Sequence, residues 1–241
     1  SRSTGPSKII PSPASRGYIF FEPYNRVASG MPCTLDDLEA FARRIQQYWS
    51  AHLYVRVVPG CTPCMDWREV RIPEEFTTWT PALLKQTLLH EWGHRTISPV
   101  SPKKLIVWRE IAAKAGALRP EKAMTVVNIA ADLWLDRAYC ENPDWADVFS
   151  RGLRDTMRLL DARLAGARSA KSLYAILDVV YERLLATWGA PPGPDEPPAL
   201  APSDVATVVL LAAAEAWSVL FDGEESEEAR IAKLSVVLGP F

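Results

Sequence analysis

The chain holds three histidines, and two of them, His90 and His94, stand four residues apart with Glu91 directly after the first. Only a helix makes that spacing useful. Residues i and i+4 share one helix face, so both imidazoles can turn toward one ion at about 2.0–2.1 Å, the distance at which nitrogen binds zinc. Glu91 lies to the side of the pair, where it can take a proton from a metal-bound water without occupying a coordination position. Gly93 inside such a helix costs about 1 kcal/mol relative to alanine, so something is expected to pack closely against its backbone.

A catalytic zinc takes three protein ligands and keeps one open position, which sends the search downstream to Glu110, Asp132 and Asp136. Glu110 has Lys103, Lys104 and Arg109 nearby and reads as a solvated, ion-paired side chain. The stretch Asn128-Ile-Ala-Ala-Asp132-Leu-Trp-Leu-Asp136 is more telling, because it places polar residues at four-residue steps in an otherwise apolar helix. Buried carboxylates need a cation or a hydrogen-bonding partner to offset lost hydration. The simplest reading has His90, His94 and Asp132 on a zinc ion. Asp136 and Asn128 then stand behind them, Asp136 accepting a hydrogen bond from the non-ligating nitrogen of a zinc-bound histidine.

These residues carry a resemblance over about residues 80 to 140. The helix with two histidines, followed by a later helix with two carboxylates four apart, resembles the thermolysin-like gluzincins, with aspartate in place of the ligand glutamate. His90-Glu91-x-x-His94 followed by Asn128-x-Ala-x-Asp132 is more closely similar to a bacterial family of predicted metallopeptidases that often sits beside von Willebrand A-like domains and AAA-type ATPases. The resemblance implies zinc at His90, His94 and Asp132, Glu91 as general base, and a small sheet preceding two active-site helices, as in minigluzincins. Because aspartate is shorter than glutamate, the two helices must approach closely. No von Willebrand A-like alternation of strands and helices follows.

The remaining sequence gives an α+β expectation: a small N-terminal antiparallel or mixed sheet packed on the active-site helices, then a helical C-terminal part. Residues 17–21 read as a strand, and Thr34 with Asp37 opens a helix whose apolar positions are Leu35, Leu38, Phe41, Ile45 and Trp49. Alternation over residues 53–57 and 69–72 predicts two strands of a hairpin, with residues 67–73 as the edge strand. Thr80-Pro81 starts the catalytic helix, which must end by Ser98 before Pro99 and Pro102. Further helices are expected over 105–117, 120–139, 152–165, 172–188, 203–221 and 225–238. Six prolines within residues 191–202 read as a stiff linker. The expected organisation is a flexible segment 1–16, a zincin-like domain 17–190, the linker 191–202, and a helical tail 203–241 that docks back or meets a partner.

Cys61 and Cys64 form a C-x-x-C pair in a turn-rich segment. With Cys33 and Cys140 they are compatible with free thiols, a disulfide, or a structural metal that His52 would help complete. A net charge of −2 and a pI near 6.0 give no general reason to expect nucleic acid or an anionic membrane as partner. The stretch 205–221 is too short and, with Glu215, too polar for a membrane span. Residues 1–13 are polar and proline-rich, unlike a secretory leader, and the start without Met reads as a trimmed terminus; the cytoplasm is the expected compartment. The expected activity is hydrolysis of a peptide or protein substrate held in extended form, with an AAA-type ATPase or von Willebrand A-like partner implied by the resemblance. A zinc amidohydrolase acting on a small molecule and a non-catalytic zinc-binding adaptor are the alternatives.

Overall fold

The computed structural model describes residues 33–65, 69–97, 101–164, 173–193 and 205–241. The expected strand at 17–21, segment 1–16 and most of the proline-rich linker lie outside these residues. The fold is α+β, a small mixed sheet followed by helices.

Helix α1 (Leu35–Trp49) starts where the capping signals place it. The Thr34 hydroxyl accepts from the Asp37 amide at 3.2 Å, and the Asp37 carboxylate accepts from the Thr34 amide at 2.9 Å. Its buried face is Leu38, Phe41, Ala42 and Ile45, which packs α1 against the sheet and the next helix.

Strands β1 (Tyr54–Val58), β2 (Cys64–Met65) and β3 (Glu69–Pro73) make one sheet in the order β1-β3-β2. The expected hairpin is corrected here. β1 and β3 pair in parallel, Tyr54 opposite Glu69 and Val58 opposite Pro73, while β2 pairs antiparallel with β3. The chain leaves β1, crosses at the Cys61 to Cys64 turn, descends through β2, and returns as β3 between the other two. β3 is therefore the central strand and not the edge, which explains why Val70 and Ile72 are fully buried while Tyr54 of β1 is exposed. Alternating side chains reveal a strand; they do not reveal its neighbour.

A 3₁₀ turn (Glu74–Thr78) leads into α2 (Pro81–Thr96), capped by the Thr80 hydroxyl on the Leu83 amide at 3.1 Å with Pro81 in the first turn. Helix α3 (Pro102–Ala115) begins earlier than expected, because Ser101 caps it and Pro102 opens it instead of blocking it. α4 (Pro120–Glu141) and α5 (Ala146–Leu164) follow. α5 lies close against α2 because Gly152 has no side chain: a Cβ there would sit 2.2 Å from Gln86 Cβ and 2.3 Å from the Ala82 carbonyl oxygen. Helix α6 (Leu173–Trp188) is buried along most of its length.

The C-terminal helices α7 (Thr207–Trp217), extended by a π-helical turn (Ser218–Asp222), and α8 (Glu227–Leu238) dock back on the protein. α7 packs on α6, and α8 on α3 and α4. The Trp134 indole N–H donates to the Leu220 carbonyl at 3.2 Å and Lys122 Nζ donates to the Gly239 carbonyl at 2.6 Å. Val209, Trp217, Leu220, Ile231 and Leu234 join the same apolar core as α2 and α4. Among the described residues no helix is long and apolar enough to cross a membrane.

Candidate metal centre

Close approach of α2 and α4 builds the site. A Cβ on Gly93 would fall 2.6 Å from Leu135 Cδ1 and 2.7 Å from Tyr139 Cε2, contacts that real Cβ atoms do not make. The glycine thus lets α4 lie directly on α2, close enough for a short aspartate to reach the histidines. Beside the two aspartates α4 buries small residues, Ala130 and Ala131.

The polar side chains meet on that contact. Asp136 Oδ1 accepts from His90 Nδ1–H at 2.6 Å, which leaves His90 Nε2 pointing into the cluster. His90 Nε2 and His94 Nε2 are 3.2 Å apart. Asp132 Oδ1 lies 3.4 Å from His94 Nε2 and 3.7 Å from His90 Nε2. Donors at 2.0–2.1 Å from a tetrahedral ion stand about 3.3–3.4 Å from one another, so these three atoms have nearly the spacing that a single zinc-sized cation requires. Among the described residues they form the one group of three or more metal-ligating side chains. Two imidazoles and a carboxylate are also a donor set that suits such an ion.

Burial sets the electrostatics. Glu91 is 0% exposed, Asp136 1%, Asp132 6% and His90 7%. For His90 burial works against the charge, yet the Asp136 carboxylate, its hydrogen bond and Asp132 outweigh it and raise the imidazole pKa to about 10. Burial, with the neighbouring His90 cation, holds His94 well below its ordinary value. Asp132 is pushed up to about 7, chiefly by burial and against the pull of His90, with Asp136 adding to the rise. The side chains alone therefore share protons: His90 Nε2–H faces the neutral His94 Nε2, in the space a cation would occupy.

The polar stripe of α4 grades inward, from half-buried Asn128 through Asp132 to Asp136. His94 is the more exposed of the two histidines. Among the described residues no hydrogen bond joins Asn128 to the cluster. Glu110 is exposed on α3 and does not belong to the group of three.

The cysteines are not brought together. None of the four is in a disulfide, and among the described residues no metal-ligating group of three or more contains one. Cys33 is buried and donates to the Trp79 carbonyl at 3.2 Å, while Cys140 lies 3.8 Å from the Ser150 hydroxyl. Burial raises their thiols to about 11 and about 12. Burial, and then the Glu75 carboxylate, raise the Cys61 thiol. His52 is exposed and stacks near Tyr54.

One neighbour of the site escaped the sequence. Burial first, and then the Asp136 and Asp132 carboxylates, hold the phenol of Tyr181 on α6 well above its ordinary value. Its neighbours Leu177, Val180 and Leu184 make it look like an ordinary core aromatic, and only the tertiary fold shows that it lies near the carboxylates. No family model, curated protein or solved structure matches the chain.

Proposed function

We propose that the protein is a zinc-dependent peptidase in which His90, His94 and Asp132 hold the metal and Glu91 is the general base. The observation that carries this reading is the convergence of three donor atoms at 3.2–3.7 Å from one another, with Glu91 next to them in the chain but outside the set. A purely structural site closes all four positions with protein ligands and has no use for a neighbouring carboxylate.

Zinc bound there supplies a Lewis acid that polarises the scissile carbonyl and acidifies water. The chain's own residues do the rest. Glu91, fully buried on α2, accepts the proton of the attacking water and returns it to the leaving amine. Asp136 fixes the His90 ring and its tautomer through the 2.6 Å bond. An extended peptide is placed along the outer edge of β2, the edge strand that contacts α2, replacing the earlier expectation for residues 67–73. On the family resemblance, an AAA-type ATPase or von Willebrand A-like protein is the partner class to test.

The test is digestion of an unbiased peptide library by the parent and by Glu91→Gln, matched for zinc, with and without a chelator. Glutamine keeps the size of the side chain and removes the base, worth about 10²–10⁴-fold in turnover. Cleavage by the parent, lost with chelator and undetectable in Glu91→Gln at equal zinc content, is expected. Equal cleavage by both proteins would contradict the mechanism.

A further inference from the structure

We propose that the groove between α1 and α2 is a binding site for a free apolar α-amino acid. Arg44 and Lys85 receive its carboxylate, Asp37 receives its ammonium group, and its side chain lies on Phe41 and Leu84. The site is separate from the metal centre, which lies between α2 and α4.

Spacing in the sequence makes the groove. Asp37, Ala40, Phe41 and Arg44 fall on one face of α1, and Pro81, Leu84 and Lys85 on one face of α2, so the two stripes enclose a cavity of about 260 Å³. Phe41 and Leu84 are buried and form an apolar floor. Asp37, Ala40, Arg44 and Pro81 are exposed around it, and Lys85 is half-buried. Ligand pockets begin at about 300 Å³, so the space suits one small molecule.

The charges around the floor are arranged unlike those elsewhere on the helices. Arg43, Arg137 and Arg151 each pair with a carboxylate one turn away. One turn from Arg44 stand Ala40 and Tyr48, and one turn from Lys85 stand Pro81 and Leu89. Among the described residues neither side chain makes a hydrogen bond or an ion pair. The Arg44 guanidinium instead lies 5.0 Å from the Trp145 ring and the Lys85 ammonium 5.7 Å from the Phe41 ring. These aromatic faces hold the two cations in place and leave their N–H groups open to an acceptor from solution. Asp37 is held as well. Its Oδ2 accepts from the Thr34 amide at 2.9 Å and the Thr34 hydroxyl at 2.7 Å, which keeps the carboxyl below its usual range and leaves Oδ1 outside those bonds.

Two cations and one carboxylate around an apolar floor are complementary to a zwitterion with an apolar side chain. A dianion such as phosphate is repelled by Asp37 and has nothing to place on the floor. Length agrees with this choice. An α-amino acid with a hydrogen bond at each charged end spans about 9 Å, close to the roughly 10 Å that two helical turns put between Asp37 and Arg44.

The experiment titrates free phenylalanine into isotope-labelled protein and follows the backbone amides by NMR. N-acetylphenylalanine, which lacks the ammonium charge, phenylalanine amide, which lacks the carboxylate, and the double variant Arg44→Gln/Lys85→Gln are run beside it. The expected result is saturable shifts within residues 37–44 and 81–85, with a dissociation constant on the order of 1 mM for so small a ligand. Each ligand lacking a charge is expected to bind about fivefold more weakly or worse, and the double variant at least about tenfold more weakly. Shifts that do not saturate by about 20 mM, or equal binding by parent and double variant, would overturn the site. N-acetylphenylalanine binding as tightly as phenylalanine would overturn the zwitterion and leave a plain carboxylate site. Should the double variant not fold, the three ligands on the parent still decide between these outcomes.

Discussion

Two sides of α4 are buried by the same helix and filled by opposite chemistry. Toward the C-terminal helices it offers Trp134, whose indole donates to the Leu220 carbonyl, and Arg137, whose guanidinium lies 4.3 Å from the Trp188 ring and 2.9 Å from Glu141. Trp188 stacks on Trp217 at 5.0 Å, and Arg183 covers the far face of that pair at 4.3 Å from Trp217. Toward α2 the same helix offers Asp132 and Asp136 against two histidines. On the tail side the polar groups stay at the rim and the protein satisfies them by itself. On the α2 side carboxylates and imidazoles are withdrawn from water, and they hold together by sharing protons that a cation would displace. The tail side is built for stability. On the proposed reading, the other side gives up stability for a metal-binding geometry.

The sharpest way to break this comparison is to damage the stable side alone. Trp217 is 3% exposed within the aromatic stack, and truncating such a residue costs about 3–5 kcal/mol. Trp217→Ala is expected to lower stability to chemical denaturation by that amount, while the zinc dissociation constant of the folded protein changes by less than about twofold. A parallel loss of zinc affinity would mean that the two sides are coupled through α4.

Gly93→Ala tests the contact that both sides depend on. The new methyl group would meet Leu135 and Tyr139, and overpacking of this kind costs about 1–3 kcal/mol. Because Asp132 reaches the histidines only through close approach of α4, zinc affinity is expected to fall along with the melting temperature. Calorimetry and chelator competition on one preparation measure both. Unchanged affinity would show that the aspartate reaches without the glycine.

The smallest effect, taken per pH unit, is a pH dependence. Zinc at His90 Nε2 must displace a proton that the folded chain holds up to about 10, so affinity should rise about tenfold per pH unit through neutrality. Below about 7 Asp132 gives up a second proton, and the dependence steepens. Without an ion the same groups act on stability in the opposite sense. The contribution of His90 is full below its ordinary 6.5 and is lost as pH rises through about 10. That of Asp132 is full below its ordinary 3.8 and is lost through about 7. Zinc titrations and thermal melts across neutral pH would show both trends; a flat zinc affinity would remove His90 from the ligand set.

The site was more legible than the sheet, for a physical reason. The spacing of His90 and His94, and the stripe of Asn128, Asp132 and Asp136, are local patterns that helix geometry converts directly into shared faces. Gly93 announced a close neighbour through its own cost, though not that Leu135 and Tyr139 supply it. Strand pairing is non-local, and nothing in residues 53–72 says that β3 enters between β1 and β2. Pro102 reads as a stop unless Ser101 is recognised as the cap of a new helix. Tyr181 is silent in sequence because a phenol among leucines looks like packing.

X-ray absorption at the zinc edge tests the central claim most directly, because it reads the donors and not the fold. On the protein loaded with one equivalent of zinc, the expected result is an all-nitrogen and oxygen shell at about 2.0–2.1 Å with the scattering pattern of two imidazoles, reduced to stray metal in His90→Ala. A sulfur shell at about 2.3 Å, unchanged by His90→Ala, would place the metal on cysteine and contradict the account.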